Sequence, residues 1–348
     1  MKFDITDSGI QLDAGWQKLD DYYYKGYSIG MSLEEMIRAQ TFDQQKGNYC
    51  IISTKDPALY HDDLRSFPLY IDKDRCSNSE FDTAKKIHFP STVDYNGTWN
   101  ENYPGHGDLE YTGQSFSFNK IRDLICERLV SMVEHTNFKL PLFAANTFGV
   151  DSTLVRSVFD YVGKEYKLVR REKKGKEYKL VRREQKGDDQ DWGYRQLYLT
   201  DEPHVQITGY CGDEVVLRNP TYCQWLLKPH GVDLASEYAK VKESYMLGFF
   251  NKNYKHKLKK DSLAFKDVGT AVNHVRDWVT NDFQMWHKDH TITFTPFRDR
   301  EIIKTCLHAD PDTIIRQCVH AELSIEIIRR LNPGNLESLS QHKNNFKP

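Results

Sequence analysis

Residues 142–162, LFAANTFGVDSTLVRSVFDYV, join a short apolar run, a turn of small residues and an amphipathic stretch. The apolar run at 142–145 is long enough for one buried strand. Beyond the turn at 146–153, apolar residues recur at i, i+1, i+4, i+5 and i+8, which is one face of a helix. They are Leu154, Val155, Val158, Phe159 and Val162. The segment therefore predicts a strand, a tight turn and a helix.

The turn carries groups that suit a metal-bound polyphosphate. A strand–turn–helix aims backbone N–H groups and a helix N-terminus at an anion. Thr147, Ser152 and Thr153 add hydroxyls, and Asp151 adds a carboxylate that repels phosphate unless a cation lies between them. The alternative is an ordinary strand–helix loop with an acid near its cap, and the chemistry of this turn by itself favours that alternative.

A second acidic turn follows a second predicted strand. The strand HVQIT at 204–208 leads into GYCGDE at 209–214. In open α/β sheets, ligands bind at the carboxyl ends of the strands. Asp151 and Asp213, each at such an end, could therefore chelate one hard cation. Taken alone, Asp213 and Glu214 are an ordinary pair of loop acids.

Composition bounds the class of protein. A chain of 348 residues accommodates two domains and a sizeable core, and 39% hydrophobic with 28% charged residues argues against general disorder. The net charge of -2 gives no global field to attract nucleic acid or acidic membrane. Seven cysteines without a C-x-x-C spacing favour reduced thiols. The first residues, MKFDITDSGI, contain no apolar signal core, so we expect a cytoplasmic protein that does not engage membranes.

Residues 1–115 are predicted to form a small α+β unit. Ser32 and Glu35 have the spacing of a capping box at the start of a short helix. NYCIIST at 48–54 is a predicted strand, and residues 58–71 predict two short strands around a polar turn, with Pro68 indicating an edge position. The polar residues 72–115, punctuated by proline and glycine, predict a linker or a loop-rich region.

The rest of the chain is predicted to be mainly helical outside the two strands. Apolar periodicity predicts helices at 117–133, 270–285 and 312–331, the last capped by Asp312. A further helix is expected to begin at Glu301, after an extended piece at 290–299.

A tandem repeat occupies residues 163–186: GKEYKLVRREKK is followed by GKEYKLVRREQK. The Tyr-Lys-Leu-Val core of each copy predicts a two-stranded hairpin, in which one copy takes the next strand of the core sheet. The basic charge would suit RNA or a phosphate-bearing partner. A solvated insertion without a role is the favoured alternative, because the repeat lacks interleaved aromatic residues.

Four stretches, in this order, resemble the signatures of the asparagine synthetase-like ATP-dependent ligases, which include β-lactam synthetase and the lasso-peptide cyclases. TFGVDS at 147–152 is similar to Ser-Gly-Gly-x-Asp-Ser, and GYCGDE at 209–214 to Gly-x-Gly-Gly-Asp-Glu. TPFRD at 295–299 is similar to Arg-x-Pro-Phe-x-Asp without its leading arginine, and KNNF at 343–346 to Lys-x-x-Phe. Upstream, GNY at 47–49 and DLRSFPLY at 63–70 resemble the end of the family's glutaminase-like domain.

The resemblance implies an α/β fold with a mostly parallel sheet of the pyrophosphate-loop (adenine nucleotide α-hydrolase-like) type and a helical C-terminal part. Residues 1–115 would be a truncated glutaminase-like α+β domain, and residues 116–348 a synthetase-like ATP-binding domain that carries the repeat as an insertion. The family's glutaminase needs a cysteine at position 2, where this chain has Lys2, so we expect no glutamine hydrolysis. Phe148 and Cys211 replace glycines of the two signatures, and Phe148 crowds the phosphate approach.

By the same resemblance, the protein would adenylate a substrate carboxylate with ATP, release pyrophosphate and AMP, and form an amide with an amine. Mg²⁺ would be held by Asp151 and Asp213. Lys343 would stabilise the leaving pyrophosphate and the developing oxyanion, and Glu214 would orient a base or the amine. Asp299 is expected to be structural. The residues implied to bind the nucleotide are Thr147, Gly149, Asp151, Ser152, Thr153 and Gly212.

Two other functions remain open at this point. Pyrophosphate-loop enzymes also modify RNA, which the basic repeat would suit. A degenerate, non-catalytic nucleotide-binding module is the other alternative, which Phe148 favours. Pyrophosphate release separates the enzymes from the module. Salt-sensitive RNA binding that is lost on replacing Lys173, Lys174 and Lys176 would favour RNA.

Overall fold

A computed structural model of the protein describes residues 2–42, 46–65, 67–145, 149–169, 203–241, 246–247, 250–251, 265–281, 291–337 and 339. The described strands are β1 (Phe3–Thr6), β2 (Gly9–Leu12), β3 (Gln17–Leu19), β4 (Tyr22–Ser28), β5 (Gly47–Ser53), β6 (Ala58–His61), β7 (Leu69–Ile71), β8 (Arg75–Ser77), β9 (Lys85–Ile87), β10 (Thr92–Tyr95), β11 (Trp99–Asn102), β12 (Leu142–Ala145), β13 (Lys167–Val169), β14 (His204–Ile207) and β15 (Thr291–Phe294). The described α-helices are α1 (Leu33–Ala39), α2 (Phe118–His135), α3 (Val150–Val162), α4 (Gly212–Val215), α5 (Pro220–Leu227), α6 (Leu234–Ala239), α7 (Val268–Asn281), α8 (Arg300–Leu307), α9 (Pro311–His320) and α10 (Glu322–Leu331).

The N-terminal part contains two antiparallel sheets that pack face to face. One has the strand order β2-β1-β8-β7-β9 and the other β3-β4-β5-β6. Both faces of strand β5 are apolar because both are buried. Cys50 and Ile52 pack into the core between the sheets, whereas Tyr49 and Ile51 pack against α1. The predicted capping box of α1 is confirmed, since Ser32 and Glu35 bond each other's backbone N–H groups.

Residues 72–115 were predicted to be a linker or a loop-rich region. They are not a linker, because they contain β8, β9 and the β10–β11 hairpin, and Val93 and Trp99 of that hairpin are buried in the core between the sheets. They are loop-rich, since these strands have only three or four residues each. The expected edge position was wrong. Strand β7 lies between β8 and β9 rather than at an edge. Pro68 is compatible with that interior position because it precedes the first residue of the strand and removes no ladder donor.

A four-stranded parallel sheet forms the centre of the rest of the chain, with the order β13-β12-β14-β15. The chain passes from β12 to β13 on one side and then returns to β14 on the other, so the strand order reverses between β12 and β14. All four residues of β14 are buried, as expected of a parallel strand covered on both faces. The predicted parallel sheet and helical C-terminal part are confirmed, and the pyrophosphate-loop type of the sheet stays a prediction.

The helices around this sheet agree with the sequence in position but differ in detail. The predicted helix at 312–331 is two helices, α9 and α10, separated by Ala321 in the left-handed conformation (φ 57°). Asp310, not Asp312, caps α9, because Pro311 occupies the first helical position and Asp310 Oδ1 accepts from Thr313 N at 2.7 Å. No helix among the described residues is long and apolar enough to cross a bilayer.

The first copy of the tandem repeat supplies a strand of the central sheet, as predicted. Lys167, Leu168 and Val169 form β13, which pairs in parallel with β12. The hydroxyl of Tyr166 donates to Asp160 of α3 at 3.0 Å, which fixes the entry to the strand. Residues 170–186, and with them the predicted hairpin and the RNA alternative, lie outside the described residues.

Removing one copy of the repeat should leave the central sheet intact. Deleting residues 163–174 leaves the second copy, which has the same Gly-Lys-Glu-Tyr-Lys-Leu-Val sequence, directly after α3. We expect the melting temperature to change by less than about 2 °C, because the residues that form β13 are replaced by identical ones. Deleting both copies, residues 163–186, is the control and should lower it by more than about 5 °C. Equal loss in both deletions would contradict the redundancy of the copies.

Candidate functional site

Two acidic turns meet at the carboxyl edge of the parallel sheet, between β12 and β14. Asp151 lies in the first turn of α3, which follows β12, and Asp213 lies in α4, which follows β14. One guanidinium nitrogen, Nη2 of Arg218, donates to both Asp151 Oδ2 and Asp213 Oδ1. The two carboxylates therefore converge on one position, at the point where the strand order reverses and ligands of open α/β sheets bind.

Two glycines allow the turns to approach so closely. A Cβ on Gly212 would lie 2.3 Å from Cγ of Asp151, and a Cβ on Gly209 would lie 2.4 Å from the backbone nitrogen of Ser152. Any side chain at these positions would push the β14 turn away from the start of α3. Between them, Cys211 is in the left-handed conformation (φ 61°), which glycine adopts most readily. Its thiol side chain is buried.

A tight reversal of the backbone places Arg218 beside Asp213. The carbonyl oxygen of Asp213 accepts from the backbone N–H of Arg218 at 2.9 Å and of Asn219 at 2.7 Å. Leu217 takes a left-handed conformation (φ 54°) to make this reversal. The side chain of Asn219 then caps α5 by accepting from Thr221 N at 3.0 Å. The position of the arginine is thus built into the same turn as the acid.

The burial of the three charged groups differs. The side chain of Arg218 is 4% exposed and that of Asp151 13%, whereas that of Asp213 is 37% exposed. Burial raises the pKa of Asp151 well above its usual range, and nearby Asp213 and Glu214 add to this, whereas Arg218 opposes it. Burial also raises the pKa of Glu214 to about 7, with Asp213 adding to the effect and Arg218 and Asn219 opposing it.

The donor set suits one hard cation. Asp151 Oδ1 is buried and has no hydrogen-bond partner among the described residues, so one buried carboxylate oxygen lacks a donor or a cation. Asp213 is open to solvent on its other side, and carboxylate oxygens are the donors that Mg²⁺ prefers. Within the described ranges, no group of three or more acidic, histidine or cysteine side chains is spaced to hold a metal. A cation here would need its remaining oxygens from a ligand and water.

We call the position shared by Asp151 and Asp213 the crevice. Three predicted nucleotide-binding residues, Gly149, Ser152 and Thr153, lie near it at the start of α3. Gly149 is the N-cap of α3, and no atom of the described residues would lie within 4 Å of a Cβ there. Ser152 is half-buried in the first turn. Thr153 is fully buried, and its hydroxyl accepts from Arg156 at 3.2 Å, because it lies about 200° around the helix from Asp151. Its predicted contact with the nucleotide stays a prediction.

Three predicted positions lie outside the described residues. They are Thr147 and Phe148 of the first turn, and Lys343 near the C-terminus. Their predicted roles stay predictions.

The third similar stretch, residues 295–299, follows β15 at the same edge of the sheet. Asp299 caps α8, since its Oδ1 accepts from Ile302 N at 3.0 Å, and it is paired with Arg128 and with Lys46 (3.6 Å). The expected structural role of Asp299 is confirmed.

A charged pocket joins this stretch to the antiparallel sheets. It is lined in part by Lys46, Asp63, Arg298 and Asp299. Arg298 donates to the carbonyl oxygen of Leu64 at 3.2 Å. Burial raises the pKa of Asp63 to about 8, and the neighbouring acids Asp62 and Asp299 add to the effect.

The sequence did not identify Arg218 as a member of the site. It follows the apolar residues 215–217, and its partner Asp151 is distant in sequence. The available signal was an arginine in an apolar stretch directly after an acidic turn, because a buried arginine needs a carboxylate partner.

Comparison with known proteins gives no relative: no protein-family model matches the chain, and no curated protein sequence is significantly similar to it.

Because the two turns approach so closely, we expect alanine substitutions at two glycines of the site to lower the free energy of unfolding by different amounts. Gly212→Ala should lower the free energy of unfolding by at least about 2 kcal/mol, because the new methyl group overlaps the Asp151 carboxylate. Gly149→Ala is the matched control and should cost less than about 1 kcal/mol, because its φ of -71° suits alanine and no atom in the part of the chain that the structure describes is within 4 Å of the new methyl group. Urea unfolding measures both, and equal costs would contradict the observed packing.

The raised pKa of the half-buried Asp63 carboxyl predicts a pH dependence of stability. Its folded-state pKa of about 8 lies above the ordinary value of 3.8, so its contribution is fully present below pH 3.8 and is lost as the pH rises towards 8. Asp63→Asn removes this loss, and the variant should gain melting temperature over the wild type from pH 5 to pH 8. The exposed Asp82→Asn is the control. A constant difference between Asp63→Asn and wild type across this range would rule out the raised pKa.

Proposed function

We propose that the protein is an ATP-dependent ligase that adenylates a substrate carboxylate and transfers the acyl group to an amine. The observation that carries the proposal is the convergence of Asp151 and Asp213 on one position at the reversal of strand order. The two turns that supply them are the two that resemble the nucleotide signatures of asparagine synthetase-like ligases. Gly209 and Gly212, which that signature requires, are the residues pressed against Asp151 and Ser152.

The nucleotide would bind with its pyrophosphate at the start of α3. This helix has 13 residues, and its free N–H groups and dipole favour an anion at Gly149 and Ser152. Asp151 and Asp213 would hold Mg²⁺, which neutralises the polyphosphate when bound. Thr147 remains part of the proposed cradle.

In the proposed reaction, a substrate carboxylate oxygen attacks the α-phosphorus and the bond to pyrophosphate breaks. The amine nitrogen then attacks the acyl carbon, loses a proton, and the bond to AMP breaks. The chain contributes positioning and charge neutralisation. Glu214, next to Asp213 and half-buried at the crevice, would orient the amine or its base. Lys343 would stabilise the charge on the leaving pyrophosphate.

A second function is favoured by a specific observation. The carboxylates of Asp151 and Asp213 are both already bonded to Arg218. A nucleotide-binding module without turnover would keep this arrangement, since it needs no metal in the crevice. Release of AMP and pyrophosphate distinguishes the ligase from the module.

Nucleotide binding should depend on Mg²⁺ and on Asp151. We expect Asp151→Asn to weaken ATP binding in the presence of Mg²⁺ by at least about tenfold, because the cation loses a charged ligand. Calorimetric titration with ATP, in Mg²⁺ and in EDTA, measures this. The exposed Glu165→Gln, outside the crevice, is the control and should bind as the wild type does.

Turnover is tested with radiolabelled ATP across a panel of carboxylic acids and amines. The ligase predicts AMP formation that requires one acid and Mg²⁺ and that Asp151→Asn abolishes. ATP binding without AMP formation from any pair supports the module. Unchanged ATP binding by Asp151→Asn would refute the assignment of the metal position.

A further inference from the structure

Arg218 lies where a cation shared by Asp151 and Asp213 would lie. One atom, Nη2, contacts one oxygen of each carboxylate. The side chain is 4% exposed, so this contact is a buried one rather than a surface ion pair. A guanidinium and a divalent cation cannot both occupy this position.

The arginine is held there by the backbone of the acidic turn itself. Two backbone N–H groups, those of Arg218 and Asn219, donate to the carbonyl oxygen of Asp213. This turn therefore fixes the backbone of Arg218 beside the acids, and the guanidinium reaches them through a side chain with several rotatable bonds. This turn requires a left-handed conformation of Leu217, which is unfavourable for a residue with a large side chain.

The charges explain what the arginine does for the protein without ligand. Two buried or half-buried carboxylates this close together repel each other, and a guanidinium between them relieves the repulsion. Two ionised carboxylates and one guanidinium sum to one formal negative charge. Asp151 Oδ1 has no hydrogen-bond partner among the described residues, and the side chain of Asp213 is 37% exposed. The guanidinium therefore neutralises an ionised pair only in part.

We propose that Arg218 is a displaceable counter-cation, which occupies the acid pair until a metal-bound polyphosphate replaces it. This inference rests on the proposed function for the identity of the polyphosphate, and on the crevice geometry for the competition. A metal ion alone displaces the guanidinium from both carboxylates and brings no new anion for it. A metal ion that arrives with phosphate offers the released guanidinium a new partner, because guanidinium groups bind phosphate oxygens through paired hydrogen bonds. Arg218 therefore makes metal binding depend on the phosphate ligand.

The test is a titration with Mn²⁺ alone, followed by electron paramagnetic resonance of the free ion. The wild type should bind Mn²⁺ weakly in the absence of nucleotide. Arg218→Gln should bind it at least about tenfold more tightly, because the competitor is gone and both carboxylates face the ion. Arg276→Gln is the matched control: it removes a buried arginine that is paired with Asp277 on α7, outside the crevice, and should bind as the wild type does.

Two further variants keep the test decisive. Arg218→Gln with Asp151→Asn should lose the gained affinity, which assigns the ion to the acid pair. Arg218→Lys keeps one positive charge and should give an affinity between those of wild type and Arg218→Gln, which serves if the glutamine variant does not fold. Thermal unfolding adds a readout: Mn²⁺ should raise the melting temperature of Arg218→Gln more than that of wild type.

The outcomes separate this inference from the proposed function. Equal Mn²⁺ affinity in wild type, Arg218→Lys and folded Arg218→Gln overturns the role of Arg218, even if ATP binds. Tighter Mn²⁺ binding by Arg218→Gln supports the displaceable counter-cation, even if no ATP binding is found, in which case only the proposed function fails.

Discussion

The contact of the Arg218 guanidinium with Asp151 and Asp213 is the interaction on which the architecture of the crevice depends. Two ionised carboxylates this close repel each other, so either one of them takes up a proton or a cation lies between them. The strand order places the turns after β12 and β14 next to each other, and Gly209 and Gly212 let their backbones touch. The guanidinium then reduces the repulsion between the two carboxylates. The close packing of the two turns therefore depends on the charge of Arg218.

The antiparallel part supports the same edge of the parallel sheet. Arg298 reaches the backbone of Leu64, and Tyr27 accepts from the backbone N–H of Thr295 at 3.4 Å. The capping carboxylate of Asp299 is held by Arg128 and Lys46, which come from α2 and from the turn before β5. The stretch after β15 is therefore fixed by groups from both parts of the chain, and a rigid edge is what a site for positioning reactants requires.

Some errors of prediction have one physical origin. Apolar periodicity continues through residues 312–331 because α9 and α10 bury the same kinds of side chain, so the left-handed Ala321 between them leaves no trace in the pattern. The strands at 72–115 are short, three or four residues each, and polar on their exposed faces, which makes them resemble loops. The end of α9 is set by the backbone conformation of Ala321, and the strands at 72–115 form because they have pairing partners. Neither feature can be read from local composition.

The sequence by itself determined the strand at 142–145 and the helix at 150–162, the two acids that follow β12 and β14, the structural role of Asp299 and the entry of one repeat copy into the sheet. These features follow from local periodicity, capping and the burial of apolar side chains, which neighbouring residues encode. Only the tertiary structure decided the strand order, the inward face of Thr153 and the place of Arg218 between the acids. Those depend on which turns meet in space, and the partner of a buried charge is chosen by distance rather than by sequence.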